Sequence, residues 1–140
     1  MTPNSKTLLA LSLCLCFPAA YGQSEPVYQI TVAKNVMVPM RDGVKLATDI
    51  YFPAQGVVRV QGKFPVVLER TPYNKSAGAA AADHLVPHGY IVIFQDVRGR
   101  YKSEGRWRPI RDDPNDGFDT AQWIGSQPWC IARGRKSGGG

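Results

Sequence analysis

Two short apolar runs constrain the fold more than any other feature of the chain. Phe64-Pro65-Val66-Val67-Leu68 and Tyr90-Ile91-Val92-Ile93-Phe94 are continuous, not alternating. Runs of this kind read as strands covered on both faces, the habit of parallel sheets. Between them, Ser76 to His88 is rich in alanine, a strong helix former, and closes on Pro87-His88-Gly89. Strand, helix, strand predicts a right-handed βαβ unit.

The pattern upstream is different. From Gln29 to Val38 the apolar residues alternate, with Tyr28, Ile30, Val32, Val36 and Val38 on one face and Lys34 interrupting it. Val44 to Phe52 alternates again, with Val44, Leu46, Ile50 and Phe52 opposite Lys45 and Asp49. Arg41-Asp42-Gly43 lies between, so an antiparallel hairpin turning on Asp-Gly is expected. Pro53 to Lys63 is expected to be loop. Downstream, Asp113-Pro114-Asn115 should open a second helix, with Asp116 and Asp119 complementing its dipole. Phe118, Ala121 and Ile124 are its expected inward stripe, and Gln127-Pro128 its end. The fold class is α/β.

The first two dozen residues stand outside this scheme. Lys6 precedes an apolar stretch of 11 residues, Thr7 to Phe17. That is too short to span a bilayer, which needs ~20. Ala20 and Gly22 then flank Tyr21, the small-residue pattern of a cleaved secretory signal. Residues 1–22 are therefore expected to be a signal peptide, and the protein to be exported, to the periplasm or beyond, without a stable membrane anchor. Cleavage removes Cys14 and Cys16 and leaves Cys130, a lone thiol expected to be buried.

Composition matters chiefly through charge. The chain carries 17 Lys and Arg against 11 Asp and Glu, a net of +6. Outside Lys6 and the tail residues Arg133, Arg135 and Lys136, the balance is 13 against 11. The excess belongs to the two ends and marks no nucleic-acid partner. Three tail charges at ~1 kcal/mol each would hold an anionic surface only weakly.

In an open α/β sheet, ligands bind beyond the carboxyl ends of the strands. Two segments leave such ends here. One is Arg70-Thr71-Pro72-Tyr73-Asn74-Lys75, which sets a tyrosine on a proline-stiffened turn. A phenol there either donates to a developing oxyanion or packs its ring and bonds a nearby carbonyl. The other is Gln95 to Gly105, where Asp96, Arg98, Arg100, Lys102 and Glu104 read as a salt-bridged structural loop. His84 and His88 read as a solvated helix end. No Cys/His set has metal-ligand spacing, and no metal or cofactor is expected. Ser137 lies in Arg135-Lys136-Ser137-Gly138-Gly139, which is not the G-x-S-x-G of a nucleophile elbow.

These segments together resemble one family. Val36 to Ala47 is similar to the opening hairpin of the Xaa-Pro dipeptidyl-peptidase-like, cocaine esterase-type serine hydrolases. Arg70 to Lys75 matches that family's R-x-P-Y-x-K turn. Asp96-Val97-Arg98-Gly99 through Ser103-Glu104-Gly105 matches its D-x-R-G…S-x-G loop. Asp116 to Trp123 and Gln127-Pro128-Trp129-Cys130 match the helix before its nucleophile strand. The resemblance implies the N-terminal portion of an α/β-hydrolase fold over residues 23–130. It implies hydrolysis of small-molecule esters, amides or peptides through an acyl-enzyme, with Tyr73 as an oxyanion-hole donor. Past Cys130 the pattern stops. Residues 131–140 are basic and Gly-rich where a strand and elbow should follow, and are expected to be a frameshift product. On this reading the chain is incomplete and inactive alone, with Val66-Val67-Leu68 left as an open sheet edge. The alternatives are a non-catalytic binding module, or a binder of anions or membrane surfaces through the basic tail.

Overall fold

The structure is a computed structural model, and it describes residues 25–131. The hairpin forms as expected. Strand β1 (Gln29–Pro39) pairs antiparallel with β2 (Lys45–Gln55). Gly43 takes φ +85° in the turn, a conformation that strains any residue with a Cβ. The Met40 N–H closes the turn by donating to the Val44 carbonyl at 2.8 Å. The segment expected as loop departs from expectation. β2 runs on to Gln55, and β3 (Val58–Arg59) folds back against it. Gly56 supplies a second tight turn, and the Arg59 guanidinium lies 4.3 Å from the centre of the Phe52 ring.

β4 (Val66–Thr71), α1 (Ala79–Leu85) and β5 (Ile91–Asp96) make the βαβ unit, with β4 and β5 parallel and Leu68 beside Ile93. The Ala-rich span is not one helix. It is a 3-10 turn (Lys75–Gly78), α1, and a second 3-10 turn (Val86–His88). Two residues explain this. Pro87 cannot donate to a continuing α-helix. Gly78 sits against the Phe94 ring, where a Cβ would overlap ring carbons. α2 (Asp113–Gly125) follows β5.

The sheet order is β1-β2-β5-β4, antiparallel except at β5-β4. β2 and β5 are therefore central, and every residue from Ile91 to Asp96 is buried. The second apolar run thus behaves as read. The first is not covered on both faces: β4 ends the sheet among the described residues, as the open edge expected at Val66-Val67-Leu68, and Val66 to Arg70 alternate between half-buried and exposed.

Two apolar layers flank the sheet. Ile50, Phe52, Ile91, Ile93, Ile124 and Trp129 pack on the α2 side. Tyr51, Ala82, Val86, Val92 and Phe94 pack on the α1 side. Each large side chain buried this way is worth about 1.5–3 kcal/mol relative to exposure.

Two corrections concern faces. β1 does not keep one apolar face. Its pairing shifts by one residue between Ala33 and Val36, with Asn35 at φ +54°. Ile30 therefore packs on the α1 side and Val36 on the α2 side. Lys34 looked like a fault in the alternation, but it marks a bulge that reverses it. In α2 the stripe is also displaced. Phe118 is 58% exposed and Ala121 is exposed, while Asp116, Thr120 and Ile124 are buried. The sheet surface beneath the first turns is polar, so α2 turns a polar row toward it. Asp116 and Asp119 bind arginines there. Arg98 donates to Asp116 from Nε at 2.9 Å and Nη2 at 2.7 Å, and to Asp42 from Nη1 at 2.7 Å. Arg41 donates to both Asp119 oxygens.

These pairs make stability acid-sensitive. The Arg98 side chain bonded to Asp42, and Arg41 bonded to Asp119, hold both carboxyls below their ordinary value of 3.8. A depressed folded-state pKa stabilises the fold above the unfolded pKa, and the gain is lost as pH falls through the folded value. The melting temperature should stay level from about pH 7 to about pH 5 and drop below about pH 4. Asp42→Asn should flatten part of that acid limb. A limb unchanged in the variant would show that the Asp42–Arg98 pair contributes nothing measurable.

Candidate active site

β4 delivers the chain to the carboxyl end of the sheet at Thr71, where the tyrosine turn begins. Short-range bonds shape it. The Tyr73 N–H donates to Thr71 Oγ1 at 3.0 Å, and Asn74 takes φ +85° while its Oδ1 accepts from the Ser76 N–H at 3.0 Å. From the neighbouring loop, Arg100 Nε donates to the Pro72 carbonyl at 3.1 Å.

The turn is anchored from below by charge. Lys75 is 4% exposed, Asp49 2% and Asp96 0%. Lys75 Nζ lies 3.1 Å from Asp49 Oδ1 on β2 and 4.0 Å from Asp96 Oδ2 on β5. Its backbone N–H also donates to Asp96 Oδ1 at 2.8 Å. The Asn35 N–H donates to Asp49 at 2.8 Å, and the Lys102 N–H reaches Asp96 Oδ2 at 3.4 Å. Buried carboxylates are tolerable only when so engaged. Above this base Tyr73 is 80% exposed, and no hydrogen bond engages its phenol among the described residues. Among the described residues the Tyr73 ring is not packed against a neighbour.

A second polar cluster lies on the α2 side. Gln95 Oε1 accepts from Arg70 Nε at 2.8 Å and from Thr120 Oγ1 at 3.0 Å, and Gln95 Nε2 donates to Thr48 Oγ1 at 3.1 Å. Arg70 Nη2 is buried without a partner. The loop after β5 is structural, as its composition suggested. Arg98 ties it to α2 and to the hairpin turn, and the Glu104 carboxylate accepts the Lys45 N–H at 2.9 Å. His84 and His88 are exposed with ring centres 6.2 Å apart. They sit where the chain enters β5, the opposite end of the sheet from Tyr73. Ser137 and the rest of residues 132–140, and residues 1–22, for which a signal peptide was expected, lie outside the described residues.

A groove of about 660 Å³ runs between β4 and α2, lined by Val66, Leu68, Ile124, Cys130 and Ile131 among others. It flanks the strand and does not include Tyr73. Burial pushes the Cys130 thiol above its ordinary pKa, against a small opposing effect of Lys63, so little reactive thiolate forms.

The family model for X-Pro dipeptidyl-peptidase (S15 family) matches residues 42–133. The chain belongs to this family. The S15 match takes in the hairpin turn, the tyrosine turn, the β5 loop and α2. Among curated proteins, the cocaine esterase of Rhodococcus sp. (strain MB1 Bresler) is 45% identical over 106 residues, covering 71% of this chain and 18% of that protein. An α-amino acid ester hydrolase structure is 34% identical with TM-score 0.58, covering 85% of this chain and 22% of the other. A CocE/NonD family hydrolase from Staphylococcus aureus is 28% identical with TM-score 0.61, covering 71% and 21%. The fold is thus the N-terminal hairpin and βαβ portion of an α/β hydrolase. The chain spans about a fifth of the length of these relatives.

The sequence drew attention to Tyr73 but not to what holds its turn. Asp49 was assigned to the polar side of an alternating strand, and Lys75 was named only as the last residue of the R-x-P-Y-x-K turn, with no role. The available signal was a carboxylate within a strand that is apolar on both sides of it.

The buried base and the exposed phenol should respond differently to mutation. Tyr73→Phe should leave unfolding free energy within about 0.5 kcal/mol, as for surface changes generally. Lys75→Met strands two buried carboxylates and should cost about 3–5 kcal/mol. Urea melts distinguish the two. A Tyr73→Phe loss as large as that of Lys75→Met would mean that the phenol supports the fold.

Proposed function

We propose that this chain forms the oxyanion-donor platform of an exported serine hydrolase that cleaves small-molecule esters or amides through an acyl-enzyme. The family is one of serine hydrolases and esterases. The observation that carries the finer reading is Tyr73: a solvent-facing, unengaged phenol on a turn pinned at the carboxyl ends of the parallel strands. Attack on an ester or amide carbonyl moves negative charge onto its oxygen. A donor already oriented toward that oxygen stabilises the transition state more than the substrate, by about 2.7–4 kcal/mol. The rigid base matters because a donor that must reorient loses that advantage.

The same proposal holds that the 140-residue polypeptide is inactive by itself. A donor acts on charge that a nucleophile creates, and no G-x-S-x-G occurs in the sequence. Reading the basic segment that follows Cys130 as the product of a frameshift is part of the same proposal.

A fluorophosphonate probe should therefore leave the 140-residue chain unlabelled, and labelling at Ser137 would overturn this assignment. Sequencing the gene through codon 130 should reveal an intact elbow in another frame. In the elbow-bearing product, Tyr73→Phe should lower kcat about 10²–10³-fold with KM little changed. An unchanged kcat would remove Tyr73 from the oxyanion hole.

A further inference from the structure

A second cavity, of about 400 Å³, opens beside the tyrosine turn and has no part in the chemistry above. Three loops meet around it: the β1 bulge at Lys34 and Asn35, the turn at Asn74 to Ser76, and the β5 loop at Tyr101 and Lys102. Their backbones are unusual in the same way. Of the four non-glycine residues with positive φ among the described residues, Asn35, Asn74 and Tyr101 line this one cavity. Left-handed backbone at residues with a Cβ is costly and gathers at functional sites.

The cavity's unpaired charge is all of one sign. Its carboxylate, Asp49, is taken up by Lys75 and the Asn35 N–H, and Asp96 beneath it by Lys75 and the Lys102 N–H. The Asn74 side-chain oxygen is taken up by the Ser76 N–H. What remains is the Asn35 side-chain amide, the Asn74 amide N–H2, the Ser76 and Tyr101 hydroxyls, which can donate or accept, and the ammonium groups of Lys34 and Lys102. Both lysines are exposed, and neither forms an ion pair among the described residues. Three lysines on the wall outnumber Asp49 and Asp96 together, so the cavity is cationic on balance.

We propose that this cavity is a binding site for a small oxyanion, the carboxylate or phosphate of a low-molecular-weight ligand, held between Lys34 and Lys102. The buried Lys75–Asp49–Asp96 cluster forms its floor and keeps the three loops together. The rim lysines supply the charge, and Asn74, Ser76 and Tyr101 supply neutral donors. The proposal invokes no reacting group, so it stands or falls separately from the hydrolase reading.

The test is an amide chemical-shift titration of the full 140-residue chain. Inorganic phosphate and succinate are added separately, each against sodium chloride at matched ionic strength, because exposed charges respond to salt alone. Expected are saturable shifts confined to residues 34–35, 74–76 and 101–102, with a dissociation constant of about millimolar order. Saturation by phosphate alone, by succinate alone or by both supports the site and tells which anion it takes. The double variant Lys34→Met and Lys102→Met alters only exposed side chains, and its spectrum should otherwise match. It should bind at least about tenfold more weakly, since hydrogen bonds to charged groups are the stronger ones. Shifts that fail to saturate, that chloride reproduces, or that persist undiminished in the double variant would overturn the proposal.

Discussion

Lys75 is the point on which the functional end of the molecule depends. An ammonium group under an apolar sheet is expensive, and its two carboxylate partners are expensive as well. A hydrophobic trio of similar volume could contribute as much stability. What it could not supply is direction. Asp49 belongs to β2 and Asp96 to β5, the two central strands, so their positions are set by the best-packed part of the sheet. Lys75 reads both positions and transmits them to the turn that carries Tyr73. One positive charge against two negative ones leaves an excess. The N–H groups of Asn35, Lys75 and Lys102 offset it, which draws the β1 bulge, the tyrosine turn and the β5 loop onto the same pair of carboxylates.

The opposite face uses the same device with the same signs. Arg98 is the central charge there, and Asp116 and Asp42 come to it from α2 and the hairpin turn. Apolar packing holds the sheet layers together but is indifferent to small rotations of a loop. Bidentate arginine–carboxylate bonds are not indifferent, because they fail when the planes tilt. The molecule thus divides its forces along the strands. Ile50, Ile91, Ile93 and Val92 serve cohesion in the body of the sheet, and ionic clusters serve placement at its carboxyl end. That division suits a fold whose chemistry sits at one end of the strands.

The local elements were largely legible in the sequence, because periodicity reports how many faces of a strand are covered. The hairpin, the Asp-Gly turn, β5 and α2 all follow from it. The failures have a common cause. Alternation was extrapolated across Lys34, where an inserted residue reverses the faces. An inward stripe was assigned to Phe118 on hydrophobicity, although the surface under that turn is Arg98. β4 was read from its apolar residues as covered on both faces, and its open edge was legible only through the family resemblance, because a strand's place in the sheet is a long-range property. Tyr73 was legible as a position, and its exposure was not. Whether a phenol packs or projects depends on Lys75, Asp49 and Asp96, which lie 21 to 47 residues apart along the chain.

The chain leaving α2 shows how this long-range order continues. The Phe64 N–H donates to the Trp129 carbonyl at 3.0 Å, and the Ile131 N–H donates to the Phe64 carbonyl at 3.1 Å. Those two bonds set Cys130 in parallel register with the residue two positions before β4. Trp129 fixes the approach by packing edge-on against Phe52 at 5.4 Å. The direction is that of β4 and β5, so the chain arrives aligned with the outer edge of β4, along the groove that Val66 and Leu68 line. An apolar strand edge of this kind is a template for pairing. The same placement accounts for the one cysteine among the described residues. Cys130 is small enough to sit where the backbone closes on Phe64, and desolvation there suppresses its thiolate. Its presence is explained by packing at the start of a strand pairing, with no thiol chemistry required.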